Sequence, residues 1–236
     1  KGKMYRLVVN NIPEGTNTSK GTPVRALVEM EPGEDVATIY SIYRDTDAQF
    51  VLFVTKNGLV KKTSLDEYVK TKKKTGIAAI SIKEGDELVS VSLVKDEPLI
   101  LLTKNGMGIK FSSLEVGATS RVTAGVKGIN LGAEDEIVAA LPVRDEKDYL
   151  AVFNVNGMAK KFASSELPLQ KRAGKGLICS KIELAAAALV SDEDNLLICG
   201  DSNSICIAAK DITIGSRPSL GTITIKDNTI ISVSKV

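Results

Sequence analysis

One architecture-defining pattern recurs along this 236-residue chain: an apolar run, a short polar turn, and a second run that ends basic. Phe50 to Thr55 is followed by Lys56-Asn57-Gly58 and then Leu59-Val60-Lys61-Lys62. Leu99 to Thr103 is followed by Lys104-Asn105-Gly106 and Met107-Gly108-Ile109-Lys110-Phe111. Leu150 to Val155 is followed by Asn156-Gly157 and Met158-Ala159-Lys160-Lys161-Phe162. Leu196 to Cys199 leads to Asn203-Ser204 and Ile205-Cys206-Ile207, and Lys1-Gly2-Lys3-Met4-Tyr5-Arg6-Leu7 reads as the second half of the same hairpin. The turn positions Gly2, Gly58, Gly106, Gly157 and Ser204 are 56, 48, 51 and 47 residues apart. Asn-Gly between apolar runs predicts a type I′ hairpin turn, with positive φ at both residues.

Each hairpin is followed by a polar loop and then a glycine that opens a short β-rich run: Gly76 to Ile82, Gly128 to Leu131, Gly176 to Ser180 and Gly221 to Ile225. An acidic turn and a fourth strand such as Leu88 to Leu93 complete the unit. Glu183 to Val190 looks helical in composition, but its repeat phase predicts acidic turn and strand. Four strands per unit of about 50 residues is the signature of a ring of blades. The expectation is one all-β domain over residues 1–236, a propeller-like ring of about five four-stranded blades with the first incomplete. The repeats run approximately over 1–47, 48–97, 98–148, 149–194 and 195–236.

The net charge of +2 hides a strong polarity. Residues 1–25 carry five basic and one acidic side chain, 55–76 seven and two, 103–128 four and one, and 154–176 five and one, giving +4, +5, +3 and +4. The acidic phases 29–48, 83–97, 132–148 and 181–195 carry −5, −3, −4 and −3. In a repeated ring equal phases take equal positions, so one edge becomes a positive track several blades long. Such a track fits the regular negative charge of duplex DNA.

Composition removes most enzymatic chemistry. Histidine is absent, which excludes Ser-His-Asp triads, Cys-His pairs and histidine-ligated zinc. Cys179, Cys199 and Cys206 have no CxxC spacing and read as reduced, buried structural thiols of a cytosolic protein. Acidic clusters such as Glu134-Asp135-Glu136 and Asp192-Glu193-Asp194 sit in the repeated acidic turn and read as solvated turns rather than Mg²⁺ sites. Tyr5, Tyr40, Tyr43, Tyr68 and Tyr149 read as blade packing. No apolar run reaches the roughly 18 residues needed to span a bilayer, and the opening residues lead one to expect no signal peptide. The opening Lys1-Gly2-Lys3, without Met, suggests a piece of a longer protein.

The residues that carry the repeat resemble the C-terminal domain of DNA gyrase A, with its relative in the ParC subunit of topoisomerase IV. The matching stretches are Lys1 to Leu7 with Ile12-Pro13-Glu14, Lys56 to Thr63 with Leu65 to Tyr68, Gly76 to Ile82 with Asp86-Glu87-Leu88, and Gly125 to Leu131. The resemblance implies a β-pinwheel whose basic outer rim binds, bends and wraps duplex DNA without reading sequence. It implies a domain that is non-catalytic by itself, inside an ATP-dependent type IIA topoisomerase, with ATP and Mg²⁺ used elsewhere and no cofactor here. The implied partners are duplex DNA, the remainder of gyrase A, and gyrase B. The implied location is the bacterial cytoplasm, associated with the nucleoid and not with a membrane. The family's basic box, Q-R-R-G-G-K-G, has its nearest counterpart in Gln170-Lys171-Arg172-Ala173-Gly174-Lys175-Gly176, in a late unit and with Lys and Ala substituted. Gyrase and topoisomerase IV therefore both stay open. Phosphate contacts are expected from Lys3, Arg6, Lys20, Arg25, Lys61, Lys62, Lys72, Lys73, Lys74, Lys110, Arg121, Lys127, Lys160, Lys161, Lys171, Arg172 and Lys175. A propeller-like scaffold for an acidic protein is the alternative of a different class.

Overall fold

Alternating apolar runs on either side of a tight turn pair into antiparallel hairpins, and four such hairpins organise the chain. The computed structural model describes residues 2–43, 46–71, 73, 75–146, 148–226 and 228–236. The first repeat contributes one strand, β1 (Lys3–Met4). The second contributes β2 (Phe50–Thr55), β3 (Leu59–Ser64), β4 (Ile77–Ala78) and β5 (Leu88–Val94). The third contributes β6 (Leu99–Thr103), β7 (Met107–Phe111), β8 (Val126–Lys127) and β9 (Ile137–Pro142). The fourth contributes β10 (Tyr149–Asn154), β11 (Met158–Ala163), β12 (Leu177–Ile178) and β13 (Leu184–Val190). The fifth contributes β14 (Asn195–Gly200), β15 (Ser204–Ala208), β16 (Thr222–Ile223) and β17 (Ile230–Lys235). The alanine-rich stretch with helical composition is therefore strand β13, as its repeat phase required.

The strands of one repeat do not form one sheet. The sheets run β5-β2-β3-β8, β9-β6-β7-β12 and β13-β10-β11-β16, so each hairpin takes its outermost strand from the following repeat. Leu59 pairs with Lys127, Leu177 with Gly108, and Met158 with Ile223. At the start of the chain β4 is lent to β1 in the same way, with Lys3 opposite Ala78. The last sheet, β15-β14-β17, has three strands, and among the described residues no further strand lies on the β15 edge. The expected five blades are therefore four, with β1 and β4 forming a two-stranded remnant. Residues 36–43 of the first repeat are not in a strand, and Tyr40 and Tyr43, expected to pack in a blade, are 44% and 70% exposed.

The turn type also differs from expectation. Gly58, Gly106 and Gly157 have φ of 77°, 82° and 78°, but the asparagines before them do not have positive φ. Gly58 N donates to the Thr55 carbonyl at 3.0 Å, and Gly106 N to the Thr103 carbonyl at 3.0 Å. This is a type I turn followed by a left-handed glycine, the three-residue hairpin loop. The extra residue lets Asn stay right-handed. The acidic turns are structural too: Asp86 Oδ1 accepts from Asn57 N and Glu87 N, both at 2.9 Å, and Asp135 Oδ1 accepts from Asn105 N at 3.0 Å and Glu136 N at 2.9 Å.

Apolar residues fill the spaces between successive blades. Leu101 and Ile109 pack with Leu52 and Val60 of the preceding hairpin, and Leu150 and Phe162 pack with Ile100 and Leu102. The long strands β5, β9, β13 and β17 touch in sequence and form the inner side, which leaves β8, β12 and β16 outermost. Cys179 is buried, Cys199 is half-buried and Cys206 is exposed, the last on β15, along whose free edge no further strand pairs among the described residues. Among the described residues no helix is long and apolar enough to cross a membrane.

Candidate nucleic-acid interface

Five of the basic residues expected on the surface are inside the protein. Lys61, Lys62, Lys110, Lys160 and Lys161 are 1%, 4%, 4%, 2% and 1% exposed. They lie on β3, β7 and β11, the hairpin strands that the next repeat covers, so a sequence position that looks like an edge is an interior one. A buried ammonium persists only when its protons are taken up. Lys61 Nζ donates to Thr63 Oγ1 at 2.8 Å, the Ala79 carbonyl at 2.6 Å and the Arg121 carbonyl at 3.2 Å. Lys160 Nζ donates to the carbonyls of Ser216 at 3.2 Å, Arg217, and Ser219 at 2.5 Å. Lys62 reaches the Ser113 carbonyl at 2.9 Å, and Lys161 the Ala209 carbonyl at 2.7 Å and Asp192 Oδ1 at 2.5 Å. Lys110 pairs with Glu146 at 2.5 Å. Burial pushes the Lys61 and Lys160 ammonium groups down to about 8. The Phe53 and Phe162 rings stand 5.1 Å and 5.8 Å from those nitrogens. Lys61, Lys62, Lys160 and Lys161 thus tie their hairpins to the repeat that follows, whereas Lys110 pairs within its own repeat.

The outer rim is built from the loops that lead into β8, β12 and β16. Each loop is pinned to the preceding hairpin: Thr119 N donates to the Lys62 carbonyl at 2.8 Å, Gln170 N to the Lys110 carbonyl at 2.8 Å, and Gly215 N to the Lys161 carbonyl at 3.0 Å. A glycine closes each loop where the backbone approaches the hairpin. Gly125 has φ +98°, and a Cβ there would stand 2.7 Å from the Val60 carbonyl oxygen. Neighbouring loops are joined directly, through Ser81 N to the Thr123 carbonyl at 3.0 Å, Asn130 N to the Gly174 carbonyl at 2.9 Å and Ala173 N to the Gly128 carbonyl at 2.7 Å. Arginines add further links: Arg172 donates to the Lys127 carbonyl, and Arg217 Nη1 to the Ile178 carbonyl at 3.0 Å.

Several of the expected cations remain at the surface, on this rim and on the loop before β4. Lys73, Lys127, Lys171 and Lys175 are exposed, and their side chains make no ion pair with any described residue; the same holds for Lys20 in the first repeat. Arg121 and Arg172 are half-buried, Arg121 lying 3.5 Å from Glu67. Arg217 belongs with them and was missed by sequence reasoning. It lies four residues before Gly221, as Arg121 lies four before Gly125 and Arg172 four before Gly176, and that spacing could have found it. Lys72 and Lys74 lie outside the described residues.

The first repeat behaves differently. Lys3 pairs with Glu31 at 2.5 Å and lies 3.6 Å from Glu34, while Arg25 donates to the Glu34 carbonyl at 2.6 Å and lies 3.7 Å from Asp35. Tyr5 donates to the Glu34 carboxylate, which holds it below the usual carboxylate range. Arg6 is exposed and donates to the Thr71 carbonyl at 2.8 Å. Acidic and basic phases meet here, so Lys3 and Arg25 are neutralised locally. Elsewhere the hairpin tips lie on the acidic edge, as in the Lys56–Glu136 pair at 3.0 Å.

Comparison with known proteins agrees with this arrangement. The family described as DNA gyrase C-terminal domain, beta-propeller, matches residues 1–42, 49–95, 97–144 and 148–190. The DNA gyrase A subunit of Lawsonia intracellularis is 34% identical over 230 residues, covering 94% of this chain and 28% of that protein. Its counterpart in Clostridium acetobutylicum is 36% identical over 235 residues, covering 97% of this chain and 28% of its own. The chain thus spans little more than a quarter of these relatives. The C-terminal domain of DNA topoisomerase IV superposes with a TM-score of 0.92 at 27% identity, covering 100% of this chain and 76% of that one. A DNA gyrase A C-terminal domain superposes with a TM-score of 0.81 at 24% identity, covering 99% and 79%, a likeness of fold. The strand lent from repeat to repeat, the glycine-closed rim loops and the matched residues lead to one conclusion: this chain belongs to the DNA gyrase A C-terminal domain family.

Proposed function

We propose that this domain binds duplex DNA along its outer rim and bends it, without reading sequence, as the non-catalytic C-terminal domain of a gyrase A subunit. The observation that carries this reading is the alignment of rim loops by direct backbone hydrogen bonds, with Lys127, Lys171 and Lys175 facing solvent on successive loops. Lys73 and Lys20 extend the set, and Arg6, Arg121, Arg172 and Arg217 add cations beside it. Phosphates are the groups such lysines meet, and they carry no sequence information. Bending a site of 20–30 base pairs by 40–90° costs on the order of 1–6 kcal/mol, which contacts spread over successive loops offset. In the whole enzyme, the domain would present wrapped DNA to the catalytic parts of gyrase A and gyrase B in the bacterial cytoplasm. ATP and Mg²⁺ would act outside it.

A second reading is the corresponding domain of topoisomerase IV, selecting DNA segments for decatenation. The TM-score of 0.92 to that enzyme's domain speaks for it, and the gyrase A relatives at 34% and 36% identity speak for the first. Binding to random-sequence duplexes of increasing length tests the shared core of both. Affinity should rise with length, and log K should fall linearly with log salt, by about 0.9 for each phosphate neutralised. A flat salt profile, or equal affinity for very short and long duplexes, would remove the wrapping function.

A further inference from the structure

The rim of the last two repeats is apolar as well as basic. Leu169 and Ile214 are 60% and 63% exposed, although the core residues two positions before them, Leu167 and Ile212, are 1% and 4% exposed. They hold the same place in the repeat: Leu169 bridges Lys110, and Ile214 bridges Lys161, each in a parallel bridge to the preceding hairpin. Backbone hydrogen bonds fix both, through Gln170 N to the Lys110 carbonyl at 2.8 Å and through Lys161 N to the Thr213 carbonyl at 2.9 Å. In the third repeat the same bridge is made by Ala118.

A single exposed aliphatic side chain needs no explanation. Two at one phase, each on a pinned backbone, are a shaped feature. Their surroundings point to what covers them. Three residues after each comes an arginine, Arg172 or Arg217, and the fourth repeat adds Lys171 and Lys175. Three residues before each stands a carboxylate, Glu166 or Asp211. A duplex drawn to the cations and kept off the carboxylates lays its phosphates on one side of the apolar side chain and brings a groove over it.

We propose that Leu169 and Ile214 act as wedges that enter between base steps of the bound duplex and kink it at the last two blades. Apolar side chains used in this way unstack a step and bend DNA by about 20–90°, at a cost of a few kcal/mol offset by the added phosphate contacts. Ala118, at the matching position of the third repeat, is too short to do so. This inference rests on the DNA-binding reading above and adds to it a cause for the bend.

The test compares the full chain with a Leu169→Ser, Ile214→Ser variant, using a random-sequence duplex labelled at both ends for energy transfer. The variant should melt like the parent, since exposed substitutions of this kind are nearly neutral to stability, and bending is compared with the duplex saturated by protein. The rise in energy transfer on saturation should fall by half or more. The parent should prefer a duplex carrying mismatches, where the bases are already partly unstacked, and the variant should lose that preference. Leu169→Met with Ile214→Leu should restore both. Equal bending by the Ser variant, at equal thermal stability, would overturn the wedges and leave DNA binding standing. If the parent binds no duplex, both readings fall. If the parent self-associates in sedimentation and the Ser variant does not, while bending is unchanged, the strip is a protein contact and the wedge is overturned.

Discussion

The ammonium of Lys160, inside the fourth repeat, donates to the main-chain carbonyl of Arg217, on the rim loop of the fifth. A buried cation thus positions a backbone whose own side chain is a surface cation. Lys61 does the same for Arg121, two repeats earlier in the ring, at 3.2 Å. The interior lysines shape the rim without facing solvent.

Lys160→Met would leave the carbonyls of Ser216, Arg217 and Ser219 without their shared donor. Leaving a fully buried acceptor unmatched costs about 1–3 kcal/mol, and less where, as here, the carbonyls are only partly buried and water enters. Chemical denaturation should show a loss of about 2–4 kcal/mol, and hydrogen exchange should quicken in residues 213–222. Lys171→Met, on the exposed side of the same track, should stay within about 0.5 kcal/mol of the parent.

The same burial gives a pH signature. Lys61 and Lys160 bind their protons up to about 8 in the folded chain, against an ordinary 10.5. Between those values the unfolded chain holds more protons, so stability rises with pH through this window. The benefit is complete above the unfolded value and disappears as pH falls through about 8. Melting temperatures of the parent minus those of a Lys61→Met, Lys160→Met variant should increase from pH 8 to 10.5. Taking this difference removes groups common to both proteins. A flat difference would show that the buried ammonium groups titrate as exposed ones do.

Asp86 and Glu84 lie two residues apart in one acidic turn but have different roles. Asp86 is 9% exposed and accepts from the backbone of Asn57 and Glu87. Hydrogen bonds to a charged acceptor contribute about 1.5–3 kcal/mol, so Asp86→Ala should cost that much in urea unfolding. Glu84→Gln, at an exposed position, should change stability by less than about 0.5 kcal/mol.

Ala173 has φ +65°, a left-handed conformation that Cβ disfavours. It occupies the fourth position of the box-like run Gln170 to Gly176, where the family's usual form has glycine. Ala173→Gly should stabilise the domain by about 1 kcal/mol, by removing a strain of roughly 1–2 kcal/mol less the extra freedom of unfolded glycine. Thermal melts at one pH decide this, and a lower melting temperature would contradict it.

For the rim itself, Lys171, Lys175 and Arg217 changed together to Glu should sharply reduce affinity for random duplex DNA. The slope of log K against log salt should shrink by about 0.9 for each phosphate contact removed. Glu84→Gln and Glu134→Gln, on the acidic edge, should leave both quantities nearly unchanged. Equal losses in the two sets, at matched fold stability, would mean that charge on the rim is not what DNA meets.

Local signals in the sequence were sufficient for the elements: glycine turns between apolar runs mark every complete hairpin but the last, and repeat phase identified Leu184–Val190 as a strand despite its alanines. The same phase located the rim loops, because a glycine must close each one, and it holds Arg217 as it holds Arg121. What the sequence could not assign is partnership between repeats. A two-residue strand such as Val126–Lys127 has the same local pattern whether it completes its own sheet or the preceding one. That choice depends on contacts between residues about 70 positions apart, Leu59 with Lys127, and it decides which lysines are covered. Lys61 and Lys62 have the composition of an exposed edge, yet the following repeat buries both and supplies carbonyls that make their burial tolerable. Charge by phase was legible because the first four repeats share it. Exposure was not, because it is a property of neighbouring repeats packed together.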